Sequence, residues 1–428
     1  MASPQRFPIR ALLIFWMFLL SALAYLDRTN ISIAGPQISR EFGIGNERLG
    51  WVFSAFLIGY AIAQVPAGWL AMRFGPRKSL TFGVAWWGVF TALTAVVPPH
   101  IQGALLLLIA VRFCLGAGEA TVYPAGNQLV AQWIPLEERG KAAGSIFAGV
   151  GAGAGLTPPL LAWIILNYGW RASFWFSAVV GTMAGVVWYF IARDRPQDHP
   201  LISSAELQHI EQGIAVGRAD KRAVRVPWKA MFKSGTLYAL TLSYFTFGYV
   251  AWIFFAWFYI YLAQERGLDI KASAVYSMLP FLAMTLCSPL GGIANDWISR
   301  RFGLRAGRCG VGVVALAVAA VLLWFGPVVA SPQLASVILA AGAGTLYFAQ
   351  SSYWSVTVDI AGSGSGIVSG VMNMGAQVGG AVTASLTPVI AARYGWNASF
   401  RLSAALALAG AVAWLLVDPA KKLLPERD

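Results

Sequence analysis

Long apolar stretches separated by short polar segments make up most of the chain. Twelve of them are long enough to cross a bilayer as a helix, which takes about 20 apolar residues. They are residues 10–33, 49–72, 79–97, 102–131, 142–166, 171–192, 235–262, 273–294, 305–329, 333–358, 364–390 and 398–417. Lipid offers no partner to backbone polar groups, and these stretches are too long for barrel strands. The pattern therefore predicts an all-α membrane protein with twelve transmembrane helices.

One long polar segment, residues 193–234, interrupts this pattern between the sixth and seventh stretches. Its middle, SSAELQHIEQGI, is typical of a short amphipathic helix capped by Ser203 or Ser204. We therefore predict a first six-helix bundle over 1–192, a cytoplasmic linker over 193–234 and a second six-helix bundle over 235–428.

An internal repeat supports this division into halves. Residues 168–178 (YGWRASFWFSA) and 394–404 (YGWNASFRLSA) match at eight of eleven positions, 226 residues apart. A second pair, GWLAMRFGPRK at 68–78 and GIANDWISRRF at 292–302, lies at nearly the same offset. Duplicated six-helix units are typical of transporters, so the repeat predicts two pseudo-symmetric bundles.

Composition and charge agree with a membrane protein. Charged residues are only 11% of the chain, against about 25% in soluble domains. The net charge of +13 arises from Lys and Arg in short loops, and this distribution favours a lipid bilayer over nucleic acid as the partner. With both termini in the cytoplasm, 22 basic residues lie on that side and 7 on the other. We predict a multi-pass protein of the bacterial inner membrane, with both termini cytoplasmic, and expect a monomer.

Four ionisable residues lie deep inside the predicted helices of the first half. They are Asp27, Arg28, Arg112 and Glu119. Each costs about 2.5–3.5 kcal/mol at mid-membrane, so they are expected to face a hydrated cavity and one another. Seven residues separate Arg112 from Glu119, which puts both on one helix face. Tyr25 and Arg28 also share a face, whereas Asp27 is turned about 100° from Arg28 and toward neighbouring helices.

These residue types suggest a division of roles. The planar guanidinium groups of Arg28 and Arg112 match a carboxylate, so both are candidates for binding an anionic substrate. Asp27 and Glu119 are the candidate proton carriers, because all three histidines fall in predicted loops. Protons are then the coupling ion and no cofactor is expected. The alternative interpretation is that the four residues only form ion pairs that fix helix packing.

Further polar and aromatic residues are candidates for the substrate site. Besides Tyr25, the first half offers Tyr60 and Gln128. The second half offers Ser351, Tyr353, Trp354, Asn373 and Gln377. Aromatic rings beside amides and hydroxyls suit a polyhydroxylated acid. Each of these residues also has an alternative role in helix packing or in bridging two helices.

Two sets of motifs resemble known families. The segment GWLAMRFGPRK resembles the signature loop between helices 2 and 3 of the major facilitator superfamily, with Met72 where an aspartate is usual; the second copy keeps the acid as Asp296. Within that superfamily, YLDRTNISIAGPQI (25–38) and RFCLGAGEATVYPAGNQ (112–128) resemble the anion:cation symporter family. The resemblance implies carriers of galactonate, glucarate, hexuronate, phthalate, sialic acid or glutamate. It also implies proton coupling at Asp27 and Glu119 and substrate contacts at Arg28 and Arg112.

Together these observations predict proton-coupled uptake of a small organic anion by alternating access. A sugar acid, meaning an aldonate, aldarate or hexuronate, is the first candidate substrate. An aromatic or dicarboxylic acid such as phthalate is the alternative. An enzyme is not expected, because the predicted transmembrane helices contain no histidine, metal-ligand set or activated serine. A receptor is not expected either, because no sensor or output domain is recognisable.

Overall fold

The computed structural model describes residues 8–135, 138–218, 231, 233–361 and 365–423. Within these ranges the chain is helical and has no strand. Helices 1 to 6 are Ile9–Phe42, Asn46–Phe74, Pro76–Val96, the pair Ala104–Glu119 and Val122–Trp133, Arg139–Tyr168, and Trp170–Ile191. Helix 7 consists of two segments, Gly235–Ala256 and Phe258–Gln264. Helix 8 is Ile270–Phe302, and helix 9 is the π-turn Ala306–Gly310 followed by Val311–Phe325. Helix 10 consists of Pro332–Phe348 and Gln350–Ala361, helix 11 is Ser365–Tyr394, and helix 12 is Trp396–Trp414. The predicted twelve-helix membrane fold is confirmed.

Several helices extend beyond the apolar stretch that predicted them. Helix 1 continues to Phe42 and helix 8 to Phe302, past Arg40 and Arg300 respectively. Nine of the described helices are long and apolar enough to cross a membrane by length and hydropathy alone. Helices 2, 11 and 12 complete the twelve. The hydrophobic pattern marks only the lipid-facing part of each helix, whereas the backbone hydrogen bonds continue into the polar ends.

Helix 4 is broken where the sequence predicts a continuous span. The first segment ends at Glu119, and the N–H of Ala120 bonds back to the carbonyl of Gly116. Thr121 caps the turn by donating its hydroxyl to the carbonyl of Gly118, 2.9 Å away. Pro124 explains the break, because proline lacks an N–H and its ring collides with the carbonyl four residues earlier. Helices 7 and 10 are also interrupted, at Trp257 and Ala349.

The internal repeat recurs in the backbone. Gly169 and Gly395, which precede helices 6 and 12, have φ of 82° and 81°. This left-handed conformation favours glycine and lets the next helix begin with a buried Trp in each half. Helices 5 and 11 repeat as well, because Gly149 packs on helix 1 and Gly375, 226 positions later, packs on helix 7. The two halves thus use equivalent close helix contacts.

Contacts divide the chain into two compact units. The first comprises residues 1–28, 59–154 and 168–222. In it, helix 3 packs on helices 4 and 6, and helix 5 approaches helix 1 so closely that a side chain at Gly153 would collide with the carbonyl of Ala22. The predicted domain boundaries at 192 and 235 follow the repeat and stay a prediction, since these units are grouped by contacts alone.

The second unit comprises residues 29–58, 155–167 and 223–428. Its helices pair as 7 with 11, 8 with 10, and 9 with 12. The end of helix 2 is packed against helix 11, where Ser54 donates to the carbonyl of Ala381 at 2.7 Å and lies 2.7 Å from the hydroxyl of Ser385. One turn away, a side chain at Gly50 would collide with the carbonyl of Ala384. This end of helix 2 is therefore closed against the second half of the chain.

The linker helix occupies Ser204–Arg218 and is capped by Ser203, whose hydroxyl accepts from the N–H of Glu206 at 3.1 Å. This decides between the two predicted caps. The carboxylate of Glu206 accepts in turn from the N–H groups of Ile9 and Arg10 at 3.1 and 3.0 Å, which caps helix 1. Residues 219–230 and 232 of the predicted linker lie outside the described residues. The linker helix thus forms part of the first unit.

His199 anchors the segment that leads into this helix. Its Nε2 bonds the carbonyl of Ile191 at 3.1 Å, and its Nδ1 accepts from the N–H of Leu201 at 3.2 Å. The ring meets Trp133 edge-on with centroids 5.7 Å apart. Burial in this position lowers the pKa of His199 below its ordinary value of 6.5. The neutral ring therefore suits the folded chain.

Candidate functional site

A buried ion pair joins helices 1 and 4. The Nε–H of Arg28 donates to Oε2 of Glu119 at 2.8 Å, and the two side chains are 3% and 0% exposed. Two such charges are tolerated in an apolar bundle only when they neutralise each other, because removing one partner typically costs about 3–5 kcal/mol. The sequence placed both residues in one site and left their pairing open.

Two tyrosine rings cover the guanidinium of Arg28. Its Cζ lies 4.5 Å from the ring centroid of Tyr25 and 4.6 Å from that of Tyr60. Tyr25 lies one turn before Arg28 on helix 1, as predicted, whereas Tyr60 comes from helix 2. Helix 2 comes this close to helix 4 because Gly59 has no side chain to collide with the carbonyl of Phe113.

The other two charges complete a neutral cluster. Asp27 points away from Arg28, as its position on the helix predicts, and its Oδ2 accepts from the hydroxyl of Thr91 on helix 3 at 3.3 Å. Arg112 lies within electrostatic range of both Asp27 and Glu119. We refer to Asp27, Arg28, Arg112 and Glu119 as the charged cluster. When all four side chains are ionised, the two positive and two negative charges sum to zero.

The charged cluster is closed to solvent in this conformation. Asp27, Arg28, Arg112 and Glu119 are 2%, 4%, 1% and 0% exposed. The sequence predicted a hydrated cavity around them, because isolated charges need water; mutual neutralisation makes the closed arrangement tolerable instead. Oδ1 of Asp27 and Oε1 of Glu119 have no hydrogen-bond partner among the described residues. Each carboxyl group therefore retains an oxygen that can take up a proton or a new donor.

The break in helix 4 sets the position of Glu119. Ending the first segment at Glu119 places the carboxylate at the C-terminus of a helix, where the partial negative charge disfavours an anion. The guanidinium of Arg28 offsets this cost. The break is packed tightly, because a side chain at Gly118 would collide with Trp86 and one at Gly83 with Thr121. Hence Glu119 is held on a rigid turn.

Tyr123 is a third tyrosine at the site that the sequence analysis did not single out. Its hydroxyl lies 3.0 Å from that of Ser21, and its ring stacks on Phe147 with centroids 5.2 Å apart. Ser21 lies one turn before Tyr25 on helix 1, so Tyr123 is adjacent to the rings that cover Arg28. Its position in the segment EATVYPAGNQ, directly after the helix break, was the signal that could have identified it.

Gln128 lies further along helix 4 and is only half-buried. The predicted substrate contact of Gln128 stays a prediction. Among the residues that the structure describes, no group of three or more His, Cys, Asp or Glu side chains comes together where a metal ion could bind.

The second-half candidates lie on helices 10 and 11, in the other unit. Trp354, Asn373 and Gln377 are half-buried, and Ser351 faces Gly292 of helix 8. Oε1 of Gln377 is buried without a partner among the described residues, which leaves it available to a ligand donor. These four residues stay candidates for substrate contact.

Tyr353 is fully buried in the second unit. Its hydroxyl lies 2.7 Å from that of Ser243, and its ring packs on Tyr244 and Trp414 with centroids 4.7 and 4.8 Å away. These contacts join helices 7, 10 and 12. The predicted substrate contact of Tyr353 stays a prediction.

A polar network joins the C-terminal end of helix 8, the start of helix 9 and the C-terminal end of helix 10. Arg308 donates to Asp296 at 2.9 Å and to Asp359 at 2.8 Å, and it also bonds Asn295. Asp296 is the acid of the second signature copy. The side chain of Met72, at the corresponding place in the first copy, lies outside the described part of the chain. In the first half, Asp194 instead caps helix 3 by accepting from the N–H of Arg77 at 2.9 Å.

Twelve membrane-spanning helices in two repeated halves, with a neutralised charged cluster at mid-helix, define a membrane transporter and not an enzyme. Residues 17–384 match the sequence model of the Major Facilitator Superfamily. The chain belongs to this superfamily.

Individual relatives support that assignment. The chain is 34% identical over 419 residues to a probable sulfoacetate transporter (SauU) of Cupriavidus necator, covering 97% of this chain and 95% of the relative. It is 30% identical over 301 residues to a probable galactarate/D-glucarate transporter (GudP) of Bacillus subtilis, covering 68% and 66%. The fold matches the crystal structure of a bacterial homolog of the human lysosomal transporter Spinster, inward-facing and unoccupied, with a TM-score of 0.77 at 15% identity over 97% of both chains.

Proposed function

We propose that the protein imports a small organic anion together with protons. The observation that carries this proposal is the buried pair between Arg28 and Glu119, set beside Arg112 and Asp27. While Glu119 is ionised, it occupies the guanidinium that an anion would need. A proton on Glu119 weakens the pair and makes Arg28 available to a substrate carboxylate. Proton and anion binding are then thermodynamically linked, as symport requires.

Charge balance extends this argument to stoichiometry. One proton gives the charged cluster a net charge of +1, which suits a monoanion, and a second proton on Asp27 gives +2. With two acids available, we propose that more than one proton accompanies each monoanion. Transport of a monoanion would then carry net positive charge inward. A substrate-evoked current on a supported membrane tests this stoichiometry, and its absence would contradict it.

A sugar acid is our first candidate substrate. The half-buried Asn373 and Gln377, one turn apart on helix 11, offer amides that suit hydroxyl groups. The relative named for galactarate and D-glucarate agrees with this choice. A sulfonated or dicarboxylic acid is the second candidate, favoured by the higher identity to the relative named for sulfoacetate and by the two arginines at one site. Phthalate belongs to this second group.

Alternating access requires that the two ends of the protein open in turn. The contacts of Gly50 and Ser54 hold the N-terminal end of helix 2 against helix 11. We propose that the linker faces the cytoplasm, because Lys and Arg concentrate there, and that the protein lies in the bacterial inner membrane. The N-terminal end of helix 2 then lies on the outer side. A monomer stays our expectation.

Uptake into proteoliposomes under an imposed pH gradient tests the proposed function. The panel comprises D-glucarate, galactonate, sulfoacetate and phthalate. We expect accumulation of one acid class only when the outside is more acidic. Arg112→Ala should reduce its binding by at least about tenfold, since one charge-assisted contact is worth that much. Arg393→Ala, an exposed arginine, is the control. Uptake that ignores the pH gradient would contradict proton coupling.

A further inference from the structure

The guanidinium of Arg28 lies over two tyrosine rings. Its centre is 4.5 Å from the ring centroid of Tyr25 and 4.6 Å from that of Tyr60. Arginine stacks well on aromatic faces, because the ring quadrupole attracts its delocalised charge. On its hydrogen-bonding edge, Nε–H points at Glu119.

The fold supports both rings from behind. Tyr60 is 3% exposed, and the close approach of Gly59 to Phe113 fixes its helix against helix 4. Tyr25 lies one turn after Ser21, whose hydroxyl is bonded to Tyr123. The rings therefore have little freedom to leave Arg28, and the plane of the guanidinium is set by its neighbours before any ligand arrives.

We propose that Tyr25 and Tyr60 act as positioning residues for Arg28 through their ring faces. This proposal rests on the proposed function, in which Arg28 leaves Glu119 for the substrate. When a proton weakens the pair, an unconstrained arginine would rotate and lose the geometry needed for two parallel bonds. The two rings keep it in the same plane, so that a carboxylate or sulfonate finds it already oriented.

The hydroxyl groups of the two tyrosines distinguish this positioning role from a direct contact with the substrate. If the hydroxyls bound the anion, phenylalanine would be as harmful as leucine at either position. If the ring faces act on Arg28, phenylalanine keeps the effect and leucine removes it. The loss of a desolvated cation–π contact corresponds to about tenfold or more in affinity.

The experiment measures binding of D-glucarate and of sulfoacetate to the purified full-length protein by isothermal titration calorimetry. Tyr60→Phe should stay within about threefold of the unaltered protein. The Tyr25 side chain also hydrogen-bonds Arg28, so the comparison of phenylalanine with leucine is made at Tyr60. Tyr60→Leu and Tyr25→Leu should bind about tenfold more weakly or worse. Tyr189→Leu is the matched control, because Tyr189 stacks on Arg77 at 4.2 Å away from the charged cluster; its affinity should be unchanged.

Two results would overturn the assignment. A Tyr60→Phe variant that loses as much affinity as Tyr60→Leu would show that the hydroxyl of Tyr60 matters. Leucine variants with unaltered affinity would show that the rings do not matter. Size-exclusion chromatography checks folding, and Tyr60→Met replaces Tyr60→Leu if the latter does not fold. Two other results would contradict the proposed function and not the role of the rings. In the first, the unaltered protein binds neither acid. In the second, Arg112→Ala binds an acid with the affinity of the unaltered protein.

Discussion

Replacing Glu119 by Gln removes one charge from the cluster and leaves its shape nearly intact. In the folded chain Arg28 donates to Glu119 at 2.8 Å, with both side chains at most 3% exposed. Truncating one partner of such a pair costs about 3–5 kcal/mol of stability. The Gln carbonyl still accepts from Nε–H, so the loss should fall below that range. Glu119→Gln should therefore fold and mimic the protonated state.

The functional magnitude follows from linkage. We assume that Glu119 must be protonated for the anion to bind. At pH values where Glu119 is mostly ionised, each further unit of pH then lowers the affinity for the anion tenfold, or by about 1.4 kcal/mol. Glu119→Gln binds without that proton. A plot of log affinity against pH should therefore lose one unit of slope relative to the unaltered protein. Exchange of substrate across the membrane should continue, while uphill accumulation under a pH gradient should stop.

Calorimetric titrations over about pH 6 to pH 8 measure the slope, and proteoliposome uptake measures accumulation. Glu138→Gln is the control, because Glu138 pairs with Arg10 at a surface where its side chain is 36% exposed. It should keep the slope of the unaltered protein. The reasoning fails if Glu119→Gln retains that slope, or if it still concentrates substrate against a gradient.

Three further predictions address the surroundings of the cluster. Gly59→Ala should abolish substrate binding and lower stability by about 1–3 kcal/mol, measured by thermal unfolding, because the added methyl would push helix 2 from Phe113. Thr91→Val should move the pH dependence of uptake up by as much as about one unit, because the hydroxyl bonded to Asp27 favours the ionised carboxyl. His199→Gln should flatten the pH dependence of the free energy of unfolding. Because the pKa of His199 is lowered in the folded chain, this residue contributes stability above pH 6.5, and that contribution is lost as the pH falls below this value.

Matched variants separate these effects from general damage. Thr94→Val removes a buried hydroxyl of the same helix that bonds only the carbonyl of Phe90, and uptake should keep its pH dependence. His100→Gln changes an exposed histidine and should keep the pH dependence of stability. Equal shifts in Thr94→Val and Thr91→Val, or in the two histidine variants, would contradict the assigned roles. Normal binding by Gly59→Ala would show that helix 2 has room to spare.

The repeat makes the placement of charge informative. Gly149 and Gly375 occupy equivalent helix contacts, and Gly169 and Gly395 equivalent turns. The charged cluster has no such counterpart, since the residues 226 positions after Arg112 and Glu119 are Ile338 and Thr345. The buried charges of the cluster therefore lie in the first half, whereas the candidate substrate residues on helices 10 and 11 are neutral polar or aromatic groups.

By itself the sequence determined the twelve helices, the repeat and the residue types of the cluster. Each of these depends on local pattern: apolar length for a helix, offset for the repeat, and the cost of a charge in lipid for the site. The same local logic placed Tyr25 beside Arg28 and turned Asp27 away from it, because positions on one helix follow from its period.

Only the tertiary structure decided which groups meet. The pairing of Arg28 with Glu119 and the approach of Tyr60 depend on how helices 1, 2 and 4 pack, which no single helix encodes. The burial of Tyr353 depends likewise on helices 7 and 12. Periodicity gives the direction of a side chain from its own helix axis; the neighbour it reaches is set by close contacts between helices, such as the one at Gly59.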